Sequence, residues 1–257
     1  MRRHSAFFRF TVRPILAIAM FGLVFVWSAP SVRAQIPDEF TNLQFLPEDI
    51  SRDSLLTVMR DFSFALGVRC QYCHVGGDGR SFEGVEFHKD DDPNKRKARF
   101  MLGMVADLNA QILPSIPDRD DPPVRMECKS CHRGLARPLL LKQQMRLIVD
   151  EFGSDSAAAW YRDMRERTPT GGSYDWGEWE TNVLAERLDR DGRTADAIAM
   201  YMLNAEFNPN SVSIQGSLAG LFRQQGDTTS AIERYERILE IRPGHRGATE
   251  RLAALRP

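Results

Sequence analysis

The chain has 257 residues, 42% of them hydrophobic, with a formal net charge of −1. That length holds one large domain or two modest ones, and the composition suits a globular protein. The balanced charge provides neither a global basic field for nucleic acid nor an acidic bias toward a cationic partner.

Residues 1–34 read as an export segment. Arg2, Arg3, Arg9 and Arg13 form a basic start, Ile15 to Trp27 an apolar run, and Val32-Arg33-Ala34 a small-residue cleavage site before Gln35. The apolar run is shorter than the ~20 residues a membrane span needs. A cleaved signal peptide and a periplasmic protein are therefore expected, with an uncleaved N-terminal anchor as the alternative. No cysteine near the cleavage point offers a lipid anchor.

Residues 35–50 form a polar lead-in. Ser51 or Asp53 then caps a helix running to about Leu66, whose apolar positions Leu55, Leu56, Met59, Phe62 and Leu66 recur at helical spacing. Gly67 stops it just before Cys70-Gln71-Tyr72-Cys73-His74. C-x-x-C-H is the attachment sequence of c-type haem: Cys70 and Cys73 form thioethers with the vinyl groups, and His74 ligates the iron.

A glycine-rich turn follows at Gly76–Gly79. Asp92 as N-cap and Pro93 at the first helical position open a second helix, Asn94–Leu113, carrying Phe100, Met101, Met104, Leu108 and Ile112. A proline-punctuated loop leads to the second copy of the signature, Cys128-Lys129-Ser130-Cys131-His132. All four cysteines lie in the two motifs, so none is left for a separate disulfide. A zinc site is the competing explanation, but the motifs stand much further apart than the about 15–20 residues of a zinc ribbon, and each carries the trailing histidine. Two covalently attached haems c are expected, on Cys70, Cys73, Cys128 and Cys131, with His74 and His132 on the irons.

Each motif thus follows a helix that carries a methionine. Met59 lies eleven residues before Cys70, and Met104 twenty-four before Cys128. On this plan residues of about 46–138 resemble the haem-binding units of the cytochrome subunit of photosynthetic reaction centres. The resemblance implies that Met59 and Met104 are the sixth ligands of the first and second irons. From the residues alone, Met101 and His88 compete at the second iron, Met145 is a minor option, and a methionine on an apolar helix face also serves as packing. The chain departs from the reaction-centre subunit in having two haem motifs rather than four, no N-terminal lipid-bearing cysteine, and an added tail.

In that tail Ala185, Leu188, Gly192, Ala197, Ile198, Tyr201, Glu206 and Pro209 recur after thirty-four residues as Ala219, Phe222, Gly226, Ala231, Ile232, Tyr235, Glu240 and Pro243. The pattern resembles the tetratricopeptide repeat, a helical hairpin that stacks into a solenoid. A degenerate earlier unit is expected around Ser156–Tyr161, and a final helix near Gly247–Leu255. The expected fold is all-α: a dihaem domain over 35–150, then a short repeat solenoid over 151–257.

The function expected is electron transfer between a redox donor and an acceptor protein, not catalysis. The repeats would dock a protein partner, with association to a membrane complex in view and no nucleic acid. A dihaem peroxidase with one open iron is the alternative, with Glu83, Glu86 and His88 as loop candidates for its acid–base groups.

Overall fold

Ser51 accepts a hydrogen bond from the Ser54 amide and opens α1, Arg52–Leu66; Gly67 closes it in the left-handed conformation at φ +65°. This is the computed structural model of the chain, and it describes residues 36–168 and 172–256. The export segment read at 1–34 lies outside the described residues, as does part of the loop at 168–173. Among the described residues no helix is long and apolar enough to cross a membrane.

After α1 come a 3-10 turn over Cys70–Tyr72 and two short antiparallel strands, β1 (Val75–Gly76) and β2 (Val85–Glu86). Asp92 caps α2, Pro93–Asp107, through the Asn94 amide at 2.7 Å. The continuous helix expected to Leu113 changes character at Leu108, passing through a π turn (Leu108–Ile112) into a 3-10 turn ending at Ser115. Pro114 removes one backbone donor there, and the Asn109 side chain bonds the Val105 carbonyl at 2.9 Å, competing with the regular ladder. The second motif folds as the short α3, Cys128–His132.

The remaining helices are α4 (Leu141–Phe152), α5 (Ser154–Arg167), α6 (Glu178–Arg190), α7 (Thr194–Phe207), α8 (Val212–Gln224), α9 (Thr228–Ile241) and α10 (Arg246–Leu255). Among the described residues the only strands are these two of two residues each, and the fold is all-α. The pairs α6–α7 and α8–α9 are the two units of the 34-residue period. Their turns match bond for bond: Gly192 and Gly226 both sit at φ +78°, and Arg193 N bonds Leu188 O as Asp227 N bonds Phe222 O. Ala185, Ala197, Ala219 and Ala231 are fully buried, since only a methyl fits where helices of a unit touch. Tyr201 and Tyr235 are buried as well, so the matched aromatics are packing residues.

Helix α4 runs through the boundary expected at 150/151. Its buried residues Leu141, Met145 and Val149 join the cluster formed by Ala157, Tyr161, Leu184 and Leu188. Met145, the minor ligand option, is fully buried in that cluster. Residues 36–140 are built differently: among them the buried hydrophobic side chains are Leu55 and Ala65.

Candidate functional site

Helix α1 turns Leu55, Leu56, Met59, Phe62 and Leu66 to one side, and these line a cavity of about 340 Å³. Cys70, Cys73 and His74 line the same cavity, because Gly67 reverses the chain and brings the motif back beneath the helix. Helix α2 closes the far side with Lys95, Ala98, Arg99 and Leu102, and the lead-in 36–46 covers the remainder. Met59, Cys70, Cys73 and His74 are therefore brought together. That lead-in, read from sequence only as a polar approach, contributes Phe40, Leu43, Phe45 and Leu46 to the wall.

Burial, with help from the Lys95 ammonium, pushes the His74 imidazole below its ordinary pKa; the Phe87 backbone carbonyl opposes them. The neutral ring this favours is the form that ligates a metal. Phe87 packs edge-on against it with ring centroids 5.0 Å apart. The His74 Nδ1 is buried, and no acceptor, the Phe87 carbonyl included, meets it in hydrogen-bond geometry. Burial likewise pushes the Cys73 and Cys128 thiols up, so neither is poised as a reactive thiolate.

The wall is held by a charge hub that the sequence did not reveal. Lys95, nearly buried, donates to the carbonyls of Phe87 (2.8 Å) and Lys89 (2.6 Å) and pairs with Asp90 Oδ1 at 3.0 Å, which satisfies its three N–H bonds. Asp90 also accepts from Arg99 at 2.6 Å, Asn42 Nδ2 at 2.9 Å and Gln44 Nε2 at 3.2 Å. One carboxylate thus ties the lead-in to α2 beside the cavity. Arg99, against the cost of desolvation and with Lys95 and Asn42 assisting, holds the Asp90 carboxyl well below the usual carboxylate range. Because its pKa is depressed on folding, its stabilisation is complete above the unfolded value of about 3.9 and falls away as pH drops below it. Asp90→Asn is expected to lower the melting temperature at pH 6–7, and the gap to wild type should close in melts taken progressively below about pH 4. A gap that stays constant with pH would show the carboxylate's charge to be irrelevant.

The second motif is placed by a different device. Asn109 brackets Met126, donating to its carbonyl and accepting from its amide, both at 2.8 Å. This fastens the segment entering α3 to the π turn that follows α2. His132 is buried, and its Nδ1 lies 2.8 Å from the Leu135 carbonyl, which orients the ring and leaves Nε2 free. Phe100 and Met104 lie on the face of α2 opposite the first cavity, exposed at 76% and 37%. Met104 therefore faces away from the cavity that Met59 and His74 share. Cys128 is partly buried and Cys131 exposed. His88, weighed as a competitor at the second iron, lines the first cavity instead. Glu86 pairs with Lys89 at 2.9 Å, and Glu83 is exposed.

The two motifs meet through backbone. Gly134 N bonds Ala65 O at 2.8 Å, and a Cβ on Gly67 would fall 2.1 Å from Gly134 O. The end of α1 is thus pressed against the turn leaving the second motif. All four cysteines are free, and among the described residues no group of three or more His, Cys, Asp or Glu converges in metal-holding geometry. The two Cys pairs do not come together as one four-thiolate cluster. Two thiols, a neutral imidazole and a thioether around one largely apolar cavity fit a covalently held haem.

Comparison with known proteins agrees with the site over part of the chain. The family "Photosynthetic reaction centre cytochrome C subunit" matches residues 46–149, less than half of the chain. Cytochrome c-554 of Chloroflexus aurantiacus is 36% identical over 84 residues, covering 32% of this chain. The chain spans only 18% of that relative's length. Among solved structures, the first TPR of Spaghetti (RPAP3) bound to the HSP90 peptide SRMEEVD and the first TPR domain of human RPAP3 each align at 19% identity with a TM-score of 0.30. Each alignment covers 45% of this chain and 86% of the other. That score is too low to assign a shared fold. Residues 46–149, which hold both C-x-x-C-H motifs and both helices before them, are thus similar to the cytochrome subunit of photosynthetic reaction centres.

Proposed function

We propose that the chain is an exported dihaem c-type cytochrome that passes electrons between protein partners, with its helical repeats as a docking platform. The observation that carries this reading is the gathering of Met59, Cys70, Cys73 and His74 around one cavity. When bound, haem would supply a one-electron couple. Cys70 and Cys73 would hold it covalently and His74 would ligate it, with Met59 in the sixth position. Cys128, Cys131, His132 and Met104 would do the same on the other side of α2. Lys95, Asp90 and Arg99 fasten the lead-in to α2 beside the first cavity, and a thioether in the sixth position favours a carrier over an open catalytic iron. Between residues 36 and 140, where few hydrophobic side chains are buried, the cofactors would serve as the core.

The test is an absorption spectrum of the protein purified from the periplasm, oxidised and reduced, with and without CO, beside a haem-to-protein ratio. Two haems that ignore CO are expected. One haem that binds CO in the wild type would move the assignment toward the peroxidase reading. Met59→Ala should make one of the two ferrous haems bind CO while the ratio is kept; unchanged CO insensitivity would remove Met59 from the coordination sphere.

A further inference from the structure

We propose that a pocket where the segment leaving the second C-x-x-C-H meets α4 and α6 is the docking site of an acidic segment on a partner protein. That the partner exchanges electrons rests on the electron-carrier reading; that it binds does not. The pocket encloses about 320 Å³. Buried Leu184 gives it an apolar floor, exposed Leu147 lines it as well, and Arg137, Lys142, Arg146 and Arg187 complete the lining.

The four cations are not equivalent. Lys142 is fixed by Glu180 at 2.9 Å, and Arg146 by Asp150 at 2.9 Å and Asp191 at 2.6 Å. Among the described residues Arg137 and Arg187 form no ion pair, so two planar guanidinium forks stand at the mouth without a carboxylate. Two such forks above a leucine floor complement a short acidic stretch with an aliphatic side chain between its carboxylates. An anionic membrane surface calls for a wider basic cluster, about four to eight uncompensated cations.

The location gives the binding a purpose. Arg137 follows His132 by five residues, a chain span of at most about 18 Å. Leu135 is also folded back on His132, its amide bonding the His132 carbonyl and its own carbonyl meeting Nδ1, both at 2.8 Å. A partner held by Arg137 is therefore kept near the second motif.

The experiment uses the full exported protein and a fluorescein-labelled peptide of alternating Glu and Leu, followed by anisotropy. The wild type should bind it. R137E/R187E should weaken binding about tenfold or more, as expected for two lost charge-assisted contacts, at unchanged helicity and haem ratio. Raising salt to about 0.2 M should also weaken it. No binding by the wild type, or equal binding by R137E/R187E, overturns the proposal. Displacement by phosphatidylglycerol vesicles at lower concentration than by unlabelled peptide also overturns it, in favour of a membrane surface. The haem ratio is read separately, so failure of the electron-carrier reading would leave this result standing.

Discussion

A protein with both Cys70 and Cys73 replaced by serine is expected to carry half the haem of the wild type, the ratio falling from about two per chain to about one. Both thiols line the first cavity, and serine keeps their size while removing thioether chemistry. The second site has its own supports in the Asn109–Met126 bracket and the His132–Leu135 contact, neither of which involves residues 70–74. Retention of one haem should therefore follow, read by intact mass and by the reduced spectrum. The mirror variant with Cys128 and Cys131 replaced should give the same ratio from the other site. An unchanged ratio in either variant contradicts covalent attachment at that motif. Loss of both haems in one variant would mean that the sites load in order.

The second large effect is expected at Gly67→Ala. Two costs add: the left-handed backbone at φ +65° penalises any Cβ by about 1–2 kcal/mol, and this Cβ would lie 2.1 Å from Gly134 O. The atom this Cβ meets is backbone, so relief requires α1 and the turn after α3 to separate, breaking the Gly134–Ala65 hydrogen bond. A total of about 3 kcal/mol or more is expected, near 10 °C of melting temperature in a chain of this size. Gly79→Ala is the control. It shares a positive φ of +77° but meets nothing within 4 Å, so only the conformational cost of about 1 kcal/mol should appear. Equal losses in the two variants would show that the approach of α1 to the second motif carries no energy.

Both variants act on features of different visibility. Cys70 and Cys73 announce their chemistry through spacing alone, because attachment needs two thiols and an imidazole within one turn of chain. Gly67 is legible as a helix stop, yet nothing in its neighbourhood of sequence foretells Gly134. His88 shows the same limit. Its residue type made it a candidate ligand, and the turn that leaves β2 then placed it on the first cavity.

What the sequence determined by itself is what short-range chemistry encodes. Ser51 and Gly67 set the ends of α1, Asp92 and Pro93 start α2, and the 34-residue period sets the paired turns at Gly192 and Gly226. Each is a capping bond, a fixed φ or a repeat, satisfied within a few residues of where it is written. The tertiary structure alone decided that Asp90 gathers Asn42, Gln44, Lys95 and Arg99, and that the lead-in and α2 wall the first cavity. The bonds to Asp90 alone join groups up to 48 residues apart. A buried ammonium must find its acceptors wherever the packed chain brings them, so the partners of Lys95 and Asp90 follow from packing and carry no local signature.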